Sequence, residues 1–386
     1  MTRPPWTIRT DLSEAPIFVC WETTKSCLLS CRHCRAKAIR KPLPGELSHE
    51  QGLELIDQLV EFNEPYPALL LTGGDPLMRT DFYDLIQYAK SRGIYVAVAA
   101  SVTPKLNKDS INRMKDLGVD IISVSLDGAT PATHDKLRGV PGTWNATMQA
   151  LENVRAVGLR AQINTTVMKS NLHELADLFQ IVKRTQAVAW EVFFLIRTGR
   201  GASLESLDPN ETEDVMHFLY DASQYGVPVR TAEGPQFRRV RVQRQNGKST
   251  PTSGLYPALA ARLRELVGDS TTSPLVKYTP TRDGKGLMFV AHDGEVHPSG
   301  FLPIRTGKLP RDHLISIYRT NNLFKLLRDP SALRGRCGRC EYRSVCGGSR
   351  SRALAEFGDP LQEDPACPYV PGTQCIEPLS ERVGMS

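Results

Sequence analysis

The composition of the chain is that of a globular protein with a full hydrophobic core. Of its 386 residues, 40% are hydrophobic and 23% are charged, which excludes a disordered or collagen-like chain. The net charge of +6, from 48 Lys and Arg against 42 Asp and Glu, is too small for a dedicated nucleic-acid-binding protein. No stretch reaches the ~20 apolar residues of a membrane span, and residues 1–16 contain no signal-peptide core. We therefore expect a soluble, cytoplasmic protein with neither nucleic-acid nor membrane partners.

Short apolar runs alternate with helical patterns through residues 1–230, which is typical of repeated β-α units and a parallel sheet. Strands are predicted at 17–22, 68–72, 94–99, 120–126, 159–167 and 188–196. The first helix is predicted to follow the capping pair Ser48 and Gln51, and further helices are predicted at 81–91, 108–117, 143–156, 172–184 and 211–224. Six such units predict a partial (β/α)6 barrel of the α/β class, with its active site at the carboxyl ends of the strands.

Two further segments follow the predicted barrel. Residues 231–285 are rich in Gly, Ser, Thr, Pro and basic residues around one helix near 256–267, and we interpret them as an insertion or linker. Residues 286–386 begin with a predicted β-hairpin, 286–290 and 295–299, that turns at Asp293-Gly294. The remainder is rich in cysteine, so we expect a small C-terminal domain.

The nine cysteines form two groups, and thiols that stay reduced in the cytoplasm are metal ligands or redox groups more often than disulfides. Cys27, Cys31 and Cys34 follow the first predicted strand. A structural zinc site normally has four protein ligands, so three thiolates indicate a metal with one position left open. An iron–sulfur cluster with one free iron meets that description, and zinc is the alternative. Cys20, inside the strand, is more typical of a buried free thiol than of a fourth ligand.

The spacing Cys27-x3-Cys31-x2-Cys34, directly after the first strand of a partial barrel, resembles the radical S-adenosylmethionine (SAM) superfamily. The resemblance implies that the three cysteines hold a 4Fe–4S cluster and that SAM chelates its fourth iron. It further implies that one-electron reduction of SAM yields a 5′-deoxyadenosyl radical, which abstracts hydrogen from an unactivated carbon. The electron donor would be a flavodoxin or a ferredoxin.

Further segments match the SAM pocket of that superfamily. Leu71-Thr72-Gly73-Gly74-Asp75-Pro76 is similar to its Gly-Gly-Glu-Pro segment, and Ser125-Leu126-Asp127-Gly128 is similar to its Ser-x-Asp-Gly segment. The resemblance therefore assigns to the SAM pocket His33, where relatives have an aromatic residue, and Gly73, Gly74, Asp75, Ser125, Arg138 and Asn164. For Arg138, a surface salt bridge is the alternative to contact with the SAM carboxylate.

Four later cysteines, Cys337, Cys340, Cys346 and Cys367, lie in a Gly-rich segment where a metal could replace the missing core. Their spacing alone suits a closed zinc site or a cluster. The tail resembles the SPASM/twitch subgroup of radical SAM enzymes, which implies an auxiliary 4Fe–4S cluster. Ser299 and Arg350 stand where the fuller pattern has cysteines, so one auxiliary cluster is expected, with Cys375 as the alternative to Cys367.

The expected substrate is a tetrapyrrole or a peptide. The stretch after Cys346 is similar to tails of heme-biosynthetic radical SAM enzymes, which implies side-chain oxidation or decarboxylation of a tetrapyrrole. Net positive charge agrees with this, as does a run whose alternation would place Arg239 and Arg241 on one strand face, although a solvated edge strand is the simpler interpretation. A ribosomally made peptide is the alternative substrate. A non-catalytic metal-binding module is the alternative of another class.

Overall fold

The computed structural model describes residues 11–248, 253–270, 272–275 and 281–372. The strands of these residues are β1 Phe18–Glu22, β2 Ala68–Thr72, β3 Val96–Ala99, β4 Ile121–Ser125, β5 Ala161–Val167, β6 Ala189–Phe194, β7 Val229–Ala232, β8 Leu287–Val290, β9 Glu295–His297 and β10 Gly307–Lys308. They form a sheet in the order β10-β9-β8-β1-β2-β3-β4-β5-β6-β7. Along this order, each strand from β8 through β1 and β2 to β7 at the far edge pairs in parallel with the next. The strands β9 and β10 add to the β8 edge in antiparallel orientation.

Helices lie between and after these strands in the chain. In the described residues they are α1 His49–Val60, α2 Phe82–Ser91, α3 Lys108–Asp116, α4 Pro131–Arg138, α5 Thr143–Ala156, α6 Leu175–Arg184, α7 Pro209–Ala222, α8 Gln236–Gln245, α9 Leu255–Val267, α10 Leu314–Thr320, α11 Asn322–Arg328, α12 Gly335–Arg339 and α13 Arg350–Phe357. None of them is both long and apolar enough to cross a membrane.

Local sequence signals explain why the barrel units form where they do. The capping box predicted for Ser48 and Gln51 is present at the start of α1, which then buries Leu55, Ile56 and Leu59 against the sheet. The strands of the barrel are rich in Val, Ile, Leu and Ala because side chains on both of their faces are covered. The predicted α/β partial barrel is confirmed, and its strands end together at one rim.

The parallel sheet is wider than six strands. β7 adds to β6, and β8, the first strand of the predicted hairpin, also pairs in parallel with β1. β7 lies next to Pro228 and contains Arg230 and Thr231 in only four residues, so it lacks the apolar run that predicted the other strands. The hairpin itself is confirmed by the antiparallel pairing of β8 with β9. Strands before residue 230 and after residue 286 belong to the same sheet. The predicted division of the chain into three segments at these residues stays a prediction.

The arginine-rich run is a helix, so both strand interpretations of Arg239 and Arg241 are wrong. The run lies in α8, which Pro235 precedes. Arg and Gln have high helix propensity, and α8 buries Phe237 and Val240 at a spacing of three. Because of this helical spacing, Arg239 is buried while Arg241 borders a cavity.

Candidate active site

A cavity of about 490 Å³ opens at the carboxyl ends of the barrel strands, and the three-cysteine loop forms part of its wall. The loop leaves β1 and is held by main-chain bonds, because the N–H of Cys27 donates to the carbonyl of Ile39 at 2.7 Å. Arg200 fixes its other end, donating from Nε to the Cys31 carbonyl at 2.8 Å and from its main-chain N–H to the Cys34 carbonyl at 3.0 Å. All three thiols therefore border the cavity.

The chemistry of these thiols suits a cluster. Burial raises the pKa of Cys27 and Cys31, and the Arg138 guanidinium, whose Nη1 lies 3.7 Å from the Cys31 sulfur, lowers that of Cys31. Positively charged iron would compensate the buried thiolates. Among the described residues no three His, Cys, Asp or Glu side chains converge on a single ion. A 4Fe–4S cube binds each cysteine through a different iron, so it does not require that convergence.

Cys20 projects from β1 into the same cavity. Burial and the neighbouring Glu191 raise its pKa to about 12, so the thiol stays protonated. Cys20 is thus free, as predicted, but only partly buried, because it forms part of the cavity wall.

The Gly73-Gly74 pair follows β2 against the cysteine loop. A Cβ on Gly73 would lie 2.5 Å from the Thr24 carbonyl oxygen, and one on Gly74 would lie 2.4 Å from that of Ser26, so both positions require glycine. Both glycines border the cavity. Asp75 points elsewhere, because its carboxylate accepts hydrogen bonds from the Thr103 hydroxyl at 2.9 Å and the Leu77 N–H at 3.3 Å. Its carboxylate therefore has structural partners, and its main-chain N–H donates to the Ser26 carbonyl at 2.7 Å, so its assignment to the SAM pocket stays a prediction.

Ser125 and Asn164 lie opposite each other in the paired strands β4 and β5, and both border the cavity. The Nε2 of Gln162 donates to the side-chain Oδ1 of Asn164 at 2.8 Å, and this bond orients the Asn164 side chain. The structure thus brings these two residues to the same cavity as the cysteine loop, and their contact with SAM stays a prediction.

His33, Arg138 and Asp127 form a buried polar cluster beside the cysteines. Arg138 Nη2 and His33 Nε2 lie 2.5 and 3.3 Å from Asp127 Oδ2. The other oxygen of Asp127 accepts from the Thr166 N–H at 2.7 Å. Burial lowers the pKa of His33 to about 4, so its imidazole is neutral, and its buried Nδ1 has no partner among the described residues. The surface salt bridge considered for Arg138 is wrong, since its ion pair is buried.

Asp127 is the central residue of this cluster and was not among the predicted pocket residues. It is fully buried, and the Arg138 guanidinium holds its pKa below the ordinary value despite the opposing effect of burial. The available signal was its place in the Ser125-Leu126-Asp127-Gly128 segment, but its two partners are distant in sequence.

The four C-terminal cysteines line a second, small cavity of about 20 Å³. Burial raises the pKa of Cys340 and Cys346 to about 11 and that of Cys367 to about 12. These three thiols are protonated unless a metal binds them, and with Cys337 they place four sulfur ligands around one space, enough for a closed site. Cys375 lies outside the described residues.

Buried arginines surround these four cysteines. Arg350 Nη2 lies 3.6 Å from the Cys337 sulfur and Arg239 Nη2 lies 3.9 Å from the Cys367 sulfur. Arg350, at a position where a further cysteine would stand, also donates to the carbonyls of Pro360 and Gln362. Ser299, at the other such position, borders the large cavity instead. Neither position supplies a thiol, which agrees with one set of four ligands.

Comparison with known proteins gives a consistent picture. Residues 21–182 match the Radical SAM superfamily. The chain is 35% identical to the AdoMet-dependent heme synthase of Nitratidesulfovibrio vulgaris over 94% of both chains. It is 27% identical to the Fe-coproporphyrin III synthase of Methanosarcina barkeri, over 94% of this chain and 90% of that protein.

The fold is shared with solved structures. Crystal structures of Streptococcus suis SuiB bound to S-adenosylmethionine and to the precursor peptide SuiA superpose with TM-scores of 0.66 and 0.63, at 14% identity. Each covers 92% of this chain, and this chain covers 78% and 76% of them. Members of the matched superfamily use SAM with a 4Fe–4S cluster. From the full-length similarity to the heme synthase together with the superfamily match, the chain is an enzyme that belongs to the radical SAM superfamily.

Proposed function

We propose that this radical SAM enzyme converts propionate side chains of an iron tetrapyrrole to vinyl groups. The observation that carries the proposal is a single cavity that joins the three-cysteine loop to a wall containing Arg238, Arg241 and Arg282. Guanidinium groups bind carboxylates through paired hydrogen bonds, and propionates are the carboxylates of tetrapyrroles. The similarity to heme and Fe-coproporphyrin III synthases supports the same substrate class.

At the end of the cavity formed by the three-cysteine loop, Cys27, Cys31 and Cys34 would hold the SAM-binding cluster. When bound, SAM and this cluster supply a carbon-centred radical that removes a hydrogen atom from an unactivated carbon. The Gly73-Gly74 main chain leaves room for a ligand close to the loop, and Ser125 and Asn164 border the same space. These residues would bind and orient SAM.

The buried cluster around Asp127 has a positioning role in this proposal. Arg138 is shared between the Asp127 carboxylate and the Cys31 sulfur, so it connects the cysteine loop to the end of β4. His33 is neutral and its Nε2 faces the Asp127 carboxylate, so the proton lies on Nε2 and the unpartnered Nδ1 is available as a hydrogen-bond acceptor for SAM.

In the C-terminal segment, Cys337, Cys340, Cys346 and Cys367 would hold an auxiliary 4Fe–4S cluster able to accept an electron. The overall conversion requires such an acceptor. Removing a hydrogen atom from the propionate carbon next to the ring, releasing carbon dioxide and withdrawing one electron together leave a vinyl group. An external flavodoxin or ferredoxin would provide the electrons for SAM cleavage.

The test uses the enzyme purified and reconstituted with iron and sulfide without oxygen. Fe-coproporphyrin III, which carries propionates where heme has two vinyl groups, is incubated with SAM and dithionite. We expect 5′-deoxyadenosine and decarboxylated porphyrin to appear together, as measured by liquid chromatography and mass spectrometry. If 5′-deoxyadenosine forms while the porphyrin is unchanged, the tetrapyrrole proposal is wrong and a peptide becomes the substrate class to test.

A further inference from the structure

Arg282 is a buried arginine in the wall of the large cavity, close to the C-terminal cysteines. Only 8% of its surface is exposed. Its Nη1 lies at 3.5 Å from the carbonyl of Arg343, to which it donates. Its Nε and Nη2 atoms are buried and have no hydrogen-bond partner within the described part of the chain. A buried guanidinium with two unsatisfied nitrogen donors is costly unless a ligand accepts their hydrogen bonds.

The unsatisfied atoms have a defined geometry. Nε and Nη2 lie on the same edge of a planar guanidinium, so their N–H groups point in one direction. A carboxylate has two oxygens spaced to accept both of these bonds, and this paired arrangement is one that arginine forms well and lysine cannot form. The open edge of Arg282 therefore matches a carboxylate.

The surrounding charges also favour an anion at this place. Burial, together with the nearby guanidinium groups of Arg238 and Arg350, lowers the pKa of Arg282 to about 10. Asp283 acts in the opposite direction, as does the sulfur of Cys346. Burial raises the pKa of Glu233, beside Asp283, to about 8, so at neutral pH this second carboxyl is mostly protonated and contributes little negative charge.

Gly347 makes room for the guanidinium. A Cβ at this position would lie 2.0 Å from Arg282 Nη1, and the main chain there has a φ of +72°, which favours glycine. The guanidinium thus packs against the residue that follows Cys346, and the side chain also borders the large cavity.

We propose that Arg282 binds a propionate carboxylate of the substrate through its Nε and Nη2 edge. The inference rests on the proposed function, because it takes the substrate to be a tetrapyrrole that carries propionates. A propionate held at Arg282 places one edge of the macrocycle at the end of the cavity next to the C-terminal cysteines.

Binding to the reconstituted holoenzyme tests the proposal without turnover. The probes are Fe-coproporphyrin III and its uncharged tetramethyl ester, and the readout is the dissociation constant from the absorbance change of the iron porphyrin. We expect Arg282→Gln to weaken binding of the acid by about 10- to 100-fold and to leave binding of the ester unchanged. Arg282→Lys keeps the charge but loses the paired edge, so it should weaken acid binding to an intermediate extent. Arg264→Gln, an exposed arginine of α9, is the matched control and should bind both probes as the wild type does.

Each contrary outcome has a distinct meaning. If Arg282→Gln binds the acid as tightly as the wild type, the subsite is wrong while the proposed function stands. If binding is unchanged but the reduction potential of the C-terminal cluster shifts, the charge serves the cluster and the proposal is again wrong. If the wild type does not bind Fe-coproporphyrin III, the proposed function fails and the subsite fails with it. Iron content and circular dichroism verify folding, and Arg282→Lys decides the question if Arg282→Gln does not fold.

Discussion

The two cysteine sites of this chain differ in how open they are. The loop of Cys27, Cys31 and Cys34 borders a cavity of about 490 Å³ and offers three thiols. The C-terminal set offers four thiols around about 20 Å³. Three ligands leave an iron free to bind a small molecule, whereas four ligands close the coordination. We therefore propose that the open site binds the ligand on which the chemistry takes place and that the closed site holds or passes electrons.

Both sites place buried guanidinium groups against sulfur, and these groups differ in how their charge is balanced. Arg138 at the open site pairs with the fully buried Asp127 as well as with Cys31. Arg350 at the closed site donates to main-chain carbonyls as well as to Cys337. Arg138 is therefore neutralised by a carboxylate, as Arg239 at the closed site is by Glu213, whereas Arg350 directs its charge toward Cys337.

The largest expected effect comes from breaking the open site. Cys31→Ala removes a ligand of the SAM-binding cluster, so SAM cleavage should fall to background while the C-terminal site keeps its iron. Iron content should fall from about eight to about four per chain, as two four-iron clusters imply. Both quantities are measured after anaerobic reconstitution, as 5′-deoxyadenosine and as iron per chain.

Cys20→Ala is the matched control for the open site, because Cys20 borders the same cavity without belonging to the loop. It should retain both SAM cleavage and iron. Loss of iron in this variant would mean that Cys20 is a ligand and that the three-cysteine assignment is incomplete.

Breaking the closed site should separate SAM cleavage from product formation. Cys346→Ala should lose about half of the iron and keep 5′-deoxyadenosine formation, because the open site is intact. Decarboxylated porphyrin should fall at least about tenfold relative to 5′-deoxyadenosine, since the electron acceptor is missing. Cys375→Ala, outside the four proposed ligands, should behave as the wild type. Iron loss in this variant would mean that Cys375, and not Cys367, is the fourth ligand.

The features predicted from sequence are those fixed by neighbours in the chain. Cysteine spacing, the Gly73-Gly74 pair and the capping box at Ser48 depend on residues within a few positions of each other, and the six long apolar strands are visible as runs. β7 was missed because its four residues include Arg230 and Thr231, and α8 was misinterpreted because alternating arginines also suit a strand.

Features that depend on tertiary contact could not be predicted. Asp127 meets His33 only when the end of β4 packs on the cysteine loop, and the open edge of Arg282 is visible only once its surroundings are known. The sequence-based pocket assignment likewise included Asp75, whose carboxylate is occupied by Thr103 and Leu77. The residue type at each of these positions does not indicate which residue it will contact in the folded chain.

The ion pair behind the open site should contribute strongly to stability. Arg138→Met leaves the Asp127 carboxylate buried without its guanidinium, so the free energy of unfolding should fall by about 3–5 kcal/mol. Urea unfolding of the reconstituted protein measures this. The double variant Arg138→Met with Asp127→Asn removes the stranded charge and should recover part of the loss. A double variant as unstable as the single one would show that the ion pair is not the cause.

The smallest expected effect lies where the barrel meets the C-terminal segment. Glu233 follows β7, and its carboxyl accepts hydrogen bonds from the hydroxyls of Ser349 and Ser351. Burial and the neighbouring Asp283 raise its pKa from 4.5 to about 8. Between these pH values the folded chain holds a proton that the unfolded chain has released, so this group makes stability fall as pH rises through that range.

Glu233→Gln resembles the protonated carboxyl and removes this dependence. Its Tm should equal that of the wild type near pH 5 and exceed it by about 2–4 °C at pH 8, as measured by calorimetry across that range. Glu356→Gln, an exposed carboxyl of α13, is the control and should leave the pH profile unchanged. A Glu233→Gln profile parallel to the wild type would mean that Glu233 is ionised in the folded chain. The barrel and the closed cysteine site would then be joined by a charged contact with Arg352, whose guanidinium also donates to the Glu233 carbonyl, rather than by neutral hydrogen bonds.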